Sequence, residues 1–219
     1  MTFIPLTTDQ RSDAWRAARL GRVTGSCAAD MLSKNASKGE AAGRRNLRVR
    51  LVLEQLTGQS QEDLWISRDM QRGIELEPTA LLAYEVETGR VVRPVGFLAH
   101  PTLMAGCSPD GVVGSFAGIV EVKVPKSATH LEYLRGGVPG DYLKQCQHNL
   151  WITGAAWCDF VSFDPRFPEE LRLKITRITM DEAQRRAYEL MVCLFLSEVE
   201  RERLEVQGLI AGVPEGAAA

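Results

Sequence analysis

No two cysteines fall in a CxxC spacing, and the five that occur (Cys27, Cys107, Cys146, Cys158, Cys193) are scattered and odd in number. That argues against a disulfide framework, a zinc knuckle or a cysteine-held iron–sulfur cluster. Only three histidines are present, and His130 and His148 have no ligand spacing, so ordinary surface or core roles suit them. There is no run of eighteen apolar residues and no charged-then-apolar start. Neither a membrane span nor a signal peptide is therefore expected, and the chain is placed in the cytoplasm. No internal repeat is visible. A net charge of −2 is small for a nucleic-acid binder, but it is unevenly spread. Residues 1–50 hold ten Lys or Arg against four Asp or Glu, a balance of +6, and the remainder balances at −8. A basic N-terminal part could face DNA, although charge alone fits a solvated basic face equally well.

What is present is an ordinary globular composition. With 219 residues, 45% hydrophobic and 25% charged, the chain can build one sizeable core. A single domain over residues 1–211 is expected, with 212–219 a frayed tail.

The stretch from Cys107 to Lys123 is the most informative. Ser108, Pro109, Asp110 and Gly111 read as a turn, Val112 and Val113 as a strand, and Ile119 to Val124 as a second strand. Side chains alternate along a strand, so Glu121 and Lys123 share one face while Val120, Val122 and Val124 line the other. A hard cation such as Mg²⁺ takes oxygen ligands, which Asp110 and Glu121 could supply. A lysine beside them could orient or deprotonate an attacking water and offset charge developing on a phosphate. The plainer alternative is a surface hairpin carrying a Glu–Lys ion pair.

Along the rest of the chain, Ser12 or Asp13 caps a short helix ending at Leu20, with Trp15 and Ala18 facing inward and Gly21 as its stop. A second helix opens at Thr24 to Ser26 and runs to Leu32, which brings Arg19 near fresh backbone N–H groups suited to an anion. Lys34 to Gly43 reads as a loop. Helices follow over about Glu40–Thr57, with Leu47, Leu51 and Leu56 inward, and about Arg68–Glu87, interrupted by Pro78. Arg44, Arg45 and Arg48 share a surface where they touch phosphates or are simply solvated. Val91 to Ala99 reads as a strand, Lys126 to Leu134 as a helix broken by Gly136 and Gly137, and Pro139 to Trp151 as another helix. On that last helix Tyr142, Cys146 and Leu150 form one stripe, and Gln145 and Asn149 a neighbouring one. Trp157–Phe163 and Leu171–Ile178 alternate as strands, and Asp181 caps a long helix to about Val206. The order suggests an α/β fold with a mixed β-sheet flanked by α-helices.

Pro109-Asp110 followed by Glu121-Val122-Lys123 resembles the PD-(D/E)xK nuclease superfamily, whose fold is restriction-endonuclease-like. Further pieces in order are Asp13-Ala14-Trp15, Arg19-Leu20-Gly21, Thr24 to Ser26, Gly73 with Glu77, Cys107 to Gly111, Gly136-Gly137, Gln145 with Gln147 and Trp151, and Asp164-Pro165-Arg166. This series, over about three quarters of the chain, is similar to the bacteriophage lambda exonuclease family, also described as YqaJ-like viral recombinases or phage-type alkaline exonucleases.

The resemblance implies a catalytic set of Asp110, Glu121, Lys123 and Gln145, with Gln147 the alternative to Gln145. It implies metal ligation by Asp110, Glu121 and the carbonyl of Val122, with Glu77 nearby, and a DNA 5′-phosphate pocket of Arg19, Ser26 and Ser108. Two Mg²⁺ ions about 3.5–4 Å apart, or Mn²⁺ in their place, would stabilise the attacking and leaving oxygens. His100 stands where the lambda enzyme has an acid, so it is left out of the site. The implied activity is 5′→3′ exonucleolysis of double-stranded DNA ends, giving 5′-mononucleotides and a 3′ overhang. The implied assembly is a homotrimeric ring, and the implied partner a single-strand annealing protein. Alternatives are another superfamily nuclease, an endonuclease or an exonuclease of the type that carries four cluster-binding cysteines, and a non-catalytic DNA-end scaffold.

Overall fold

Gly118–Lys123 contains three valines or isoleucines in six residues, and it forms the longest part of a hairpin at the centre of the molecule. The computed structural model describes residues 3–6, 8–34, 39–61 and 67–211. In chain order the strands are β1 (Ile4–Leu6), β2 (Val23–Thr24), β3 (Val92–Arg93), β4 (Phe97–Ala99), β5 (Ala105–Cys107), β6 (Gly111–Val113), β7 (Gly118–Lys123), β8 (Trp157–Phe163) and β9 (Leu173–Ile178). The helices are α1 (Asp13–Arg19), α2 (Ala28–Met31), α3 (Ala42–Thr57), α4 (Arg68–Thr88), α5 (Ser127–Gly136), α6 (Gly140–Thr153) and α7 (Glu182–Ala211). The tail expected over 212–219, and residues 35–38 of the expected loop, lie outside the described residues.

A five-stranded sheet has the order β3-β6-β7-β8-β9, antiparallel except for the parallel pair β7–β8. Parallel neighbours need a long crossover, and α5 and α6 supply it. A second sheet of four strands, β1-β4-β5-β2, stands beside it. The expected mixed sheet flanked by helices is thus present, with a second sheet that the sequence reading did not foresee. The single strand expected over Val91–Ala99 is two strands in different sheets. Pro94 offers no N–H, and Gly96 packs so closely on Thr8 and Leu6 that an added Cβ would come within 2.3 Å of the Thr8 carbonyl oxygen. The last strand begins at Leu173 rather than Leu171, because Glu169–Leu171 closes into a 3-10 turn. Asp181 and Gln184 cap α7 reciprocally, each side chain taking the other's backbone N–H.

The two faces of the large sheet bury different sets. Ile119, Cys158 and Phe160 pack with Leu47, Leu51, Leu150 and Phe195 from α3, α6 and α7. Val120, Val122, Val161 and Phe163 pack with Ala80 and Tyr84 of α4. The alternation expected along β7 is therefore observed, and it turns Glu121 toward α6. Arg44 and Arg48 are drawn onto α7, where Arg44 pairs with Glu198 and Arg48 with Glu202; Arg48 also pairs, at 2.7 Å, with Glu40 just before α3. No helix among the described residues is long and apolar enough to cross a membrane.

Candidate active site

The hairpin opens where the site forms. β6 pairs with β7 only as far as Gly111 opposite Val120, and the register continued by one step sets Asp110 opposite Glu121. There the ladder bond is replaced by a side chain: Val122 N–H donates to Asp110 Oδ2 at 2.7 Å. The N–H and C=O of one strand residue leave on the same edge, so the Val122 carbonyl faces the Asp110 side as well.

Glu121 is 1% exposed, and its carboxylate is held on both oxygens. Lys123 Nζ and Gln145 Nε2 each donate to Oε1 at 2.5 Å, and Asn149 Nδ2 donates to Oε2 at 3.0 Å. Gln145 and Asn149 lie one turn apart on α6, so a single helix face delivers both amides. Lys123 also lies over the ring of Tyr142, 5.1 Å from its centroid. Of these groups, Asn149 and Tyr142 carried no role in the sequence reading. The shared stripe of Gln145 and Asn149 was the signal that could have found the former.

Burial and the neighbouring charge of Glu121 push the Asp110 carboxyl well above the usual range. Burial alone would lower the Lys123 ammonium, but Glu121 and Asp110 outweigh it and hold it above the ordinary lysine value. The Lys123 ammonium is paired with Glu121 in this arrangement. Glu77, the upstream acid on α4, pairs with Arg11. Arg11 adopts a left-handed φ of 70°, a strained conformation for an arginine. A cavity of about 470 Å³ is lined by Arg11, Glu77, Asp110, Val122, Lys123 and Tyr142, which brings the upstream acid and the hairpin residues to one space.

The residues expected to grip a phosphate gather at the turn after α1. Ser12 caps that helix by accepting from Trp15 N–H. Gly21, at φ 64°, is gripped from α3, its N–H donating to the buried Glu54 at 2.8 Å and its carbonyl accepting from Gln55 at 2.8 Å. This anchors the end of α1, where Arg19 lies over the Trp15 ring at 4.2 Å and donates to Ser26 Oγ at 3.3 Å. Trp15 Nε1 in turn donates to Ser108 Oγ at 2.8 Å. Arg19, Ser26 and Ser108 are therefore linked through Trp15, and Ser108 stands two residues before Asp110. Gln10 steadies the same turn by donating to the Pro109 carbonyl at 3.0 Å.

The donor set suits a hard divalent cation. Asp110 and Glu121 are crowded carboxylates in a partly dry site, a combination that a cation stabilises. No group of three or more His, Cys, Asp or Glu side chains converges among the described residues, so a cation held by Asp110 and Glu121 would draw its other oxygen ligands from waters or a substrate phosphate. His100 lies apart from this cluster, stacked on Trp151 with centroids 5.2 Å apart. His130 bonds Ser162 and the Leu171 carbonyl, and His148 bonds Tyr188 and the Gly106 carbonyl, so both are core residues.

Comparison with known proteins gives a consistent placement. A family model described as the YqaJ-like viral recombinase domain matches residues 14–156. The crystal structure of an alkaline exonuclease, LHK-Exo, from Laribacter hongkongensis is 42% identical at a TM-score of 0.82, covering 91% of this chain and 98% of that one. LHK-Exo in complex with dAMP matches at 41% identity and the same TM-score, with 91% and 98% covered. A phage-related exonuclease from Haemophilus somnus 129PT, 15% identical with 84% and 96% covered, shares the fold at a TM-score of 0.64. No curated protein matches the chain. The fold is the restriction-endonuclease-like one of these neighbours, and the chain belongs to the YqaJ-like viral recombinase family, of the lambda exonuclease type.

Proposed function

We propose that this chain is a Mg²⁺-dependent exonuclease, with Mn²⁺ able to substitute. It degrades one strand of duplex DNA from a 5′ end, releases 5′-mononucleotides and leaves a 3′ single-stranded overhang for recombination by strand annealing. One arrangement carries this reading: Asp110 and Glu121 face each other where β6 leaves β7, with Lys123 and Gln145 on the same Glu121 oxygen.

Asp110, Glu121 and the Val122 carbonyl are the groups that would hold the metal, with Glu77 beside them. A bound divalent cation supplies Lewis acidity at the phosphoryl oxygen and a more acidic water. Lys123 and Gln145 position the nucleophilic water, and Lys123 also offsets negative charge that develops on the phosphate. Arg19, Ser26 and Ser108 grip the terminal 5′-phosphate, which sets the polarity. The similarity to an alkaline exonuclease with dAMP bound supports a deoxynucleotide product. A homotrimeric ring around DNA, acting in the cytoplasm with a single-strand annealing protein, completes the reading. Encirclement would retain DNA without strong overall positive charge, in keeping with a net charge of −2.

The test is a linear duplex carrying a 5′-phosphate on one strand and a 5′-hydroxyl on the other, incubated with the protein in Mg²⁺ and separately in Ca²⁺. Loss of the phosphorylated strand from its 5′ end in Mg²⁺ alone is expected. Degradation from 3′ ends, or nicking of closed circular DNA, would discard the lambda-type activity.

A further inference from the structure

We propose that Asn149 is a positioning residue for Glu121 and that Gly25 is the notch that admits it, so that the turn bearing Ser26 and the buried carboxylate are joined through one amide. The inference rests on the reading of Glu121 as a catalytic carboxylate. Asn149 is 1% exposed, and its Nδ2 donates to Glu121 Oε2 at 3.0 Å. The reversed amide would set an acceptor against a carboxylate, so the donor must face Glu121. Its Oδ1 is buried without a hydrogen-bond partner among the described residues, a costly state for a polar atom.

That Oδ1 points at Gly25. A Cβ added to Gly25 would lie 2.4 Å from Asn149 Oδ1 and 3.3 Å from Gln145 Cγ. Any side chain there must push aside the Asn149 amide, whereas Gln145 need give only by a few tenths of an ångström. Gly25 opens the 3-10 turn Gly25–Cys27, whose next residue is Ser26, the partner of Arg19. The phosphate-gripping turn therefore rests directly on the helix face that fixes the carboxylate. Asparagine suits the position sterically and electrostatically: glutamine would press further into the turn, and aspartate would repel Glu121.

The test uses the full chain with Asn149→Leu, Asn149→Ala, Gly25→Ala and the Gly25→Ala/Asn149→Ala pair. Cleavage of 5′-phosphorylated duplex DNA and thermal unfolding are measured for each. Each single change is expected to lower kcat about ten- to a hundredfold with KM kept, the usual cost of losing a group that orients a ligand. The pair should be no worse than Asn149→Ala, because alanine at 149 removes the atom that the new methyl strikes. Unchanged kcat in Gly25→Ala, or losses that multiply in the pair, would overturn the proposal. Calorimetric titration with Ca²⁺ in the absence of DNA gives a second readout. Asn149→Leu should bind about tenfold more weakly, and equal affinity would also overturn it. A wild-type chain that binds Ca²⁺ in an Asn149-dependent way yet cuts no DNA end would refute the nuclease reading and leave this inference standing.

Discussion

Lys123 and Glu121, two residues apart on β7, are joined by a 2.5 Å ion pair in which the carboxylate is almost wholly buried and the ammonium only partly so. A buried carboxylate needs compensation, and Lys123 supplies the full positive charge that the amides of Gln145 and Asn149 do not. The same ammonium borders the cavity shared by Glu77 and Asp110. On the proposed reading, a phosphate bound in that cavity would meet this ammonium.

Lys123→Ala should therefore cripple cleavage while sparing end binding. A loss in kcat on the order of 10²–10³-fold is expected, as for removal of one preorganised electrostatic group. Binding of a labelled duplex end in Ca²⁺ checks the second half. If binding disappears together with cleavage, Lys123 holds the fold around Glu121 rather than the chemistry.

Arg19→Ala should erase the preference for a 5′-phosphate. Arg19 is stacked on Trp15 and bonded to Ser26, a geometry that presents a guanidinium held in place before any phosphate arrives. Charge-assisted hydrogen bonds contribute about 1.5–3 kcal/mol, so the rate advantage of 5′-phosphate over 5′-hydroxyl ends should fall by about ten- to a hundredfold. Competition between the two kinds of end in one reaction measures this directly. An unaltered preference removes Arg19 from the phosphate pocket.

The parts of the site that local rules govern were legible in the sequence. Strand alternation put Glu121 and Lys123 on one face, and helical spacing put Gln145 and Asn149 on one stripe. Contacts between distant segments with no periodic pattern were not legible. Arg11 meets Glu77 across 66 positions, and Gln10 meets Pro109 across 99. Arg44 and Arg48 could be read as a basic surface because their α7 partners lie 154 positions away. The split of Val91–Ala99 into two sheets was hidden for a similar reason, since what crowds Gly96 is the backbone near Thr8. Asn149 was visible on its stripe, but only the closeness of Gly25 gives it a task.

Asp164→Asn should destabilise the fold and loosen α4. Asp164 is fully buried at the end of β8 and accepts from Arg166, from Ser127 at the start of α5, and from Arg72 on α4. Although burial opposes it, these donors, Arg166 foremost, hold its carboxyl well below the ordinary range. Arg72 also donates to the carbonyls of Val124 and Pro125, so one side chain ties α4 to the exit of β7 beside Lys123. Breaking a fully buried pair costs about 3–5 kcal/mol, and because Arg166 is half-exposed a loss of about 2–3 kcal/mol is expected. Urea denaturation measures it. A loss under about 0.5 kcal/mol, the range of ordinary surface changes, would show that the cluster is not a clamp.

His148 should make stability fall in mild acid. Its ring is completely buried, with Nδ1 facing the Tyr188 hydroxyl and Nε2 the Gly106 carbonyl, both at 3.0 Å. A neutral ring that donates from Nε2 and accepts at Nδ1 satisfies both neighbours, whereas a second proton would meet a hydroxyl already donating. Burial lowers the folded value from 6.5 to about 4. Between those two values the unfolded chain binds the extra proton and the folded chain does not, so stability is retained above about pH 6.5 and declines as pH falls toward 4. At about 1.4 kcal/mol per pH unit the decline reaches about 3 kcal/mol by the lower value. Carboxylates titrate in the same window, so the measurement is a difference: urea unfolding from pH 7 to pH 4 for the wild type and for His148→Gln, which keeps a donor toward Gly106 but cannot titrate. The wild type should lose about 3 kcal/mol more than the variant across that range. Parallel losses would mean that the ring charges inside the fold, and that the Tyr188 hydroxyl turns to accept from it.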